Sequence, residues 1–193
     1  MVAARERLAQ FVEGSEHLTA LCRAYRNECT VVHLSELVGG AWAFYAAAAV
    51  ARVGGVHVFV AEDRDAAAYL LNDFYNLLDE ERVCFFPSSF KRSVAYGAED
   101  AQGVVQRTAT LNALKNFSSD YLVVCTYPEA LAERVADVET FQRDTIAVHV
   151  GDRIDIDDLV QLLADASFSR VDFVYEPGQY SVRGGIVDVF SFS

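Results

Sequence analysis

No uninterrupted apolar run in this 193-residue sequence reaches the roughly 18 to 20 residues that cross a membrane. The most apolar stretch, Ala41 to Val53, is too short and carries Arg52. Met1 to Arg7 mixes Arg and Glu ahead of a helical pattern and lacks the apolar segment and small-residue cleavage site of a leader, so a cytoplasmic protein is expected. Basic side chains are scarce. Sixteen Lys and Arg against twenty-eight Asp and Glu leave a formal net charge of -12, which opposes binding to a polyanion such as DNA. The densest basic patch, Lys91-Arg92, is two residues long, and a solvated acidic surface accounts for the charge. The four cysteines (Cys22, Cys29, Cys84, Cys125) have no metal-ligand spacing, which predicts reduced, mostly buried thiols rather than disulfides or a zinc site.

The short catalytic motifs are missing as well. The sequence has no G-x-S-x-G elbow, no H-E-x-x-H and no G-x-G-x-x-G after a strand, so local signs of a serine hydrolase, a zinc protease or a dinucleotide site are absent. His17 stands alone; His33, His57 and His149 fall in segments patterned as strands, where a histidine satisfied in the core or at an edge is the usual outcome. Asp155, Asp157 and Asp158 suggest a metal cluster at first sight, but they stand where a helix begins, and carboxylates there cap amides and complement the helix dipole. No cofactor and no metal are expected.

What is present is a regular alternation. Ala3 to Tyr25 has apolar residues at helical spacing. Thr30 to Leu34 reads as a strand, Gly39-Gly40 as a turn, and Ala41 to Val53 as a buried helix. Val56 to Ala61 (strand), Asp63 to Leu78 (helix with an acidic cap), Val83 to Phe86 (strand), Pro87 to Glu99 (loop), Asp100 to Asn116 (helix) and Tyr121 to Thr126 (strand) follow, and Pro128 opens a short helix. Strands alternating with helices predict a parallel sheet covered on both faces. From Thr145 the grammar changes: Thr145 to Val150 (strand), Ile156 to Ala166 (helix), Arg170 to Glu176 (strand), then strand around Gly184-Gly185. The expected class is therefore α/β, a parallel-sheet, P-loop-ATPase-like (RecA-like) domain over residues 1–144, followed by a small α+β (β-α-β-β) domain over 145–193. Val187 to Phe192 is still patterned as strand, which predicts that this second domain is truncated.

A P-loop needs glycines whose amides cradle phosphate, a Lys on the terminal phosphates and a Ser or Thr on magnesium, in the order G-x-x-x-x-G-K-[ST]. The equivalent stretch is Ser35 to Trp42, in which Gly40 keeps the second glycine, Ser35 replaces the first, Ala41 the Lys and Trp42 the magnesium ligand. With no ammonium and with an indole in place of a small hydroxyl, the expected site is degenerate and without function.

Three segments resemble one family. Phe85 to Arg92, then Tyr96 to Asp100 with Arg107 to Leu114, and most sharply Tyr175 to Phe190, are similar to the amino-terminal, UvrB-like region of bacterial transcription-repair coupling factors. The resemblance extends through Tyr121 to Leu131 and covers about Thr30 to Phe190. It implies a UvrB-like first domain that has lost its ATP site, and a loop after the third strand too short for the DNA-clamping hairpin of UvrB. It also implies a second domain that docks the damage-recognition protein UvrA. The resemblance implies that RNA polymerase, double-stranded DNA and ATP-driven translocation belong to other parts of such proteins, and that this chain is a non-catalytic recruitment module.

By position, Arg183 matches the family arginine that contacts UvrA, and Gly184, Gly185 and Tyr180 flank it. A guanidinium makes bidentate contacts to a carboxylate, and glycines let a partner backbone approach closely. Against this stands pairing of Arg183 with Asp172 or Asp188 on its own sheet, and packing of Tyr180 on that sheet. A helicase-like ATPase with an atypical nucleotide site is the alternative activity, and a scaffold that masks another part of the same protein is a third reading.

Overall fold

The computed structural model describes residues 10–27, 31–90, 100–135 and 148–192. Three helices start where the sequence supplies a side-chain oxygen for their free amides. The Ser15 hydroxyl accepts from the His17 amide at 3.1 Å to begin α1 (Glu16–Arg26). Helix α2 (Ala41–Val53) starts at Gly40 with no side-chain cap, and Asp63 accepts from the Ala66 amide at 2.8 Å to begin α3 (Arg64–Leu77). Helices α4 (Ala101–Lys115) and α5 (Pro128–Ala132) follow, the second with proline at its first position. Helix α6 (Ile156–Asp165) is capped by Asp155, which accepts from the amides of Asp157 and Asp158. The acidic run at 155–158 is thus used as a helix start, and no metal-binding group of His, Cys, Asp and Glu occurs among the described residues.

The chain divides into two compact units, Met1–Pro87 with Thr110–Ala130, and Ser88–Ala109 with Leu131–Ser193. The first contains β1 (Gly55–Val60), β2 (Val83–Phe86) and β3 (Tyr121–Thr126), all parallel in the order β1-β3-β2. The central strand, YLVVCT, is buried along its whole length, as its unbroken apolar run requires. Val50 of α2, Leu70 and Phe74 of α3, and Tyr127 and Ala130 pack in the same core. Two hydroxyls tie the end of β2: Thr110 donates to the Phe85 carbonyl at 2.9 Å and Thr126 to the Phe86 carbonyl at 2.8 Å. A smaller cluster, Val12, Leu18, Leu21 and Cys22 against Ala49, fastens α1 to α2.

The second unit holds β4 (Ser169–Arg170), β5 (Gln179–Arg183) and β6 (Ile186–Phe190), with β4 parallel and β6 antiparallel to β5. The mixed α/β class with a parallel sheet and a second small sheet is therefore as expected; several elements differ. Residues 31–34 of the expected strand Thr30 to Leu34 are irregular, with Val31, Val32 and Leu34 exposed. A β-branched run makes a strand only where a ladder partner and a buried face await it, and no described strand pairs with β1 on the edge away from β3. The sheet is also not covered on both faces at β1, whose Val56, Val58 and Val60 are exposed. His33 and His149 accordingly lie in irregular backbone; His57, half-buried in β1, bonds the Gly54 carbonyl through Nε2 at 2.9 Å.

In the second unit the expected strand Arg170 to Glu176 stops at Arg170, because the Asp172 carbonyl is taken by the Ser181 hydroxyl at 2.9 Å and the chain then turns away. Residues 148–150 of the expected strand Thr145 to Val150 are irregular, so the described order is α-β-β-β rather than β-α-β-β. Thr145, Asp144, Cys29 and the basic pair Lys91-Arg92 lie outside the described residues. Cys22, Cys84 and Cys125 are free thiols. Burial, reinforced by the neighbouring Cys84, pushes the Cys125 thiol up to about 12, which suits inert packing residues. No helix among the described residues is long and apolar enough to cross a membrane.

Candidate functional site

The turn before α2 is where a P-loop protein would hold phosphate. Gly39 has φ +58° and Gly40 is the N-cap of α2. The Ala41 amide donates to the Val38 carbonyl at 3.3 Å and those of Ala43 and Phe44 to the Gly40 carbonyl, so three of the amides at this helix start already have acceptors within the chain. Ser35 lies on exposed irregular backbone. The indole of Trp42 turns into the aromatic packing of the unit, with ring centroids 6.4 Å from Phe59 and 6.1 Å from Phe74. A cleft of about 520 Å³ beside it is lined by Phe59, Tyr69, Leu70 and Asp73 among others. None of its lining residues is basic, so it offers a triphosphate apolar walls and one carboxylate.

The second unit contains a polar network that sequence reasoning did not find. Glu133, just past α5, accepts from the Ser88 hydroxyl, from the Ser89 amide at 3.0 Å and from the Ser89 hydroxyl at 2.7 Å. It also faces Arg107 Nη1 at 3.5 Å, and the two side chains are 15% and 8% exposed. Burial alone would raise the Glu133 carboxyl; the bonds from Ser88 and Ser89 and the Arg107 charge outweigh it and hold the carboxyl below its ordinary value. Gly103 of α4 belongs to the same contact, since a Cβ there would lie 2.5 Å from the Ser88 carbonyl oxygen. The chemistry is that of a clamp, with both carboxylate oxygens engaged by Ser88, Ser89 and Arg107.

The third place is the turn between β5 and β6. Arg183 ends β5 and pairs in register with Ile186, leaving Gly184-Gly185 as a two-residue loop. Gly184 has φ +60°, the left-handed conformation that such loops demand at their first position. No atom lies within 4 Å of a Cβ built at either glycine, so the turn is open above. The Arg183 side chain is 57% exposed and donates through Nη2 to Asp188 Oδ2. Its guanidinium carbon lies 5.7 Å from the centroid of the Phe173 ring, and the Phe173 and Tyr175 rings are 6.5 Å apart. Both rings are exposed, as is Ile186. A groove of about 730 Å³ runs along Arg170, Asp172, Phe173, Ser181 and Arg183.

The structure therefore gathers Arg183, Gly184 and Gly185 at one exposed corner, and pairing of Arg183 on its own sheet, with Asp188 rather than Asp172, is what it shows. Tyr180 is 4% exposed, so it is buried within the unit and not part of the outer surface at the turn. Phe173 and Tyr175 read from sequence as the interior of a strand; only the early end of β4 turns them outward.

Residues 146–193 match the family model of the UvrB interaction domain. The chain is similar to the transcription-repair-coupling factor of Bacillus subtilis (strain 168), 22% identical over 185 residues, covering 96% of this chain and 16% of that protein. It is also similar to the transcription-repair-coupling factors of Staphylococcus aureus strains RF122 / ET3-1 and USA300, each 26% identical over 121 residues, 63% of this chain and 10% of theirs. The chain thus spans at most 16% of the length of these relatives. The resemblance to transcription-repair coupling factors drawn from Phe85 to Arg92 and Tyr175 to Phe190 holds.

Proposed function

We propose, from this likeness to transcription-repair coupling factors and from the UvrB interaction domain matched at residues 146–193, that the chain is a recruitment module that docks UvrA. The observation that carries it is the corner at Arg183: an exposed guanidinium on an aromatic shelf, beside a glycine turn that leaves room for another backbone. Arginine and aromatic side chains supply most of the binding energy in protein interfaces. Residues 145–193 form the docking domain, and residues 1–144 are a UvrB-like, RecA-like domain whose turn at Ser35, Gly40, Ala41 and Trp42 holds no nucleotide. The module itself is not an enzyme and works in the cytoplasm. In the longer protein, other regions engage RNA polymerase and double-stranded DNA and use ATP, so that a stalled polymerase is displaced at a lesion while this module brings in excision repair.

The test is the affinity of the full chain for purified UvrA, with Arg183→Glu as the comparison. The expected result is measurable binding that falls by about thirtyfold or more in the variant, the scale of an interface hot spot. Equal binding by both proteins, or none by the wild-type chain, would refute the reading.

A further inference from the structure

We propose that Asp188 is a built-in counter-ion that a carboxylate of the partner replaces on Arg183, while Phe173 keeps the guanidinium in place through the exchange. The inference rests on the docking reading above and adds the chemistry of the contact: the partner presents an aspartate or glutamate to this corner.

Four features support it. First, Asp188 is not the direct cross-strand neighbour of Arg183; it sits opposite Ser181 in the ladder, and Arg183 opposite Ile186. Arg183 reaches it on the diagonal and through Nη2, whereas a guanidinium carries five N–H donors in a fork suited to a bidentate acceptor. Second, both side chains are well exposed, at 57% and 43%, and a pair of that kind shifts an equilibrium by no more than about fivefold. It holds the arginine's charge without committing it.

Third, the ring of Phe173 and the carboxylate of Asp188 act on the guanidinium separately, through its face and through an N–H. The shelf is itself fixed: the Ser181 hydroxyl, in a residue only 2% exposed, holds the Asp172 carbonyl at 2.9 Å, and the Val171 amide donates to the Tyr180 carbonyl at 2.9 Å. Removing Asp188 therefore leaves Arg183 where it is. Fourth, the groove joins a second guanidinium, Arg170, to Arg183 in a chain of net charge -12. Asp172 lines it too; with Asp188 counted, the two arginines balance two carboxylates, so this corner is neutral and presents two guanidiniums to an acidic loop of a protein partner.

The experiment measures the affinity of purified UvrA for the full chain in five forms: wild type, Asp188→Asn, Phe173→Leu, Phe173→Trp and Arg183→Glu, each with its melting curve. Asp188→Asn is expected to bind two- to fivefold tighter. Phe173→Leu is expected to bind two- to fivefold weaker at an unchanged melting temperature, and Phe173→Trp to restore wild-type affinity, which a purely structural role for the ring would not produce. Should Asp188→Asn fail to fold, Asp188→Ser makes the same comparison. If Arg183→Glu loses binding while the folded Asp188 variant binds no tighter than wild type, the exchange is wrong and the docking reading stands. If Arg183→Glu binds as well as wild type, the docking reading falls and the exchange falls with it.

Discussion

Replacing Glu133 by alanine removes the acceptor of three hydrogen bonds and the carboxylate facing Arg107 in one step. Cutting one partner from a buried, hydrogen-bonded ion pair costs about 3 to 5 kcal/mol, chiefly because a charge is left in a poor solvent. Glu133 keeps 15% of its exposure and Arg107 8%, so the lower end, about 3 kcal/mol, is expected. That is a large share of a typical domain's 5 to 15 kcal/mol. The assay is urea denaturation followed by circular dichroism, on wild type, Glu133→Ala, Arg107→Met and the double variant. The double variant is expected to lose less than the sum of the single losses, because both single changes break the same contact. The pH dependence gives an independent check. Because the Glu133 carboxyl is held below its ordinary value in the folded chain, its stabilisation is complete above the unfolded pKa, about 4.3, and is lost as the pH falls through the lower folded value. Wild type should therefore lose more stability than Glu133→Gln on acidification below about pH 4.5. A Glu133→Ala loss under about 1 kcal/mol, or parallel acid curves for wild type and Glu133→Gln, would refute the clamp.

Other perturbations have equally definite outcomes. Phe74→Ala empties a fully buried site in the first core and should cost about 3 to 5 kcal/mol in the same urea assay. Gly178→Ala places a Cβ 2.4 Å from the Phe192 ring at a position with φ +79°, so the melting temperature should fall. Cys125, its thiol pushed up to about 12 by burial, should resist a thiol reagent at pH 8 until the chain is unfolded, as stopped-flow absorbance would show. Millimolar ATP with magnesium should leave the melting curve unmoved; a rise with nucleotide concentration, as mass action requires of any ligand of the native state, would favour the helicase-like ATPase instead.

Much of the fold is legible in the sequence wherever local chemistry decides. Asp63 and Asp155 announce helices because an N-cap acts within three residues, and Val83 to Phe86 and Tyr121 to Thr126 read correctly because strands buried along most or all of their length need continuous apolar runs. Thr30 to Leu34 has the same composition and no described partner, and β-propensity without a neighbour builds no ladder. The early end of β4 is set by a hydroxyl nine residues away, Ser181 on the Asp172 carbonyl, which no window of sequence displays. The candidate site divides in the same way. Arg183 and the glycine turn are visible as residue types, but the choice of Asp188 as its counter-ion depends on hairpin register, and Phe173 enters only because the chain leaves the sheet. The Glu133 clamp joins residues 44 and 45 positions apart, beyond the reach of any pattern.

The strand order of the parallel sheet has a further consequence for biosynthesis. Among the described residues β1 and β2 share no ladder; each pairs only with β3, whose Tyr121 lies opposite Gly55. The strand in the middle is the last to leave the ribosome. Until residue 126 emerges, the nascent chain carries two apolar strands with no mate, and closing the long loop back to β1 is an entropic toll met before any ladder bond rewards it. During translation, then, the segments ahead of residue 121 cannot close the parallel sheet, and one short strand turns them into a domain.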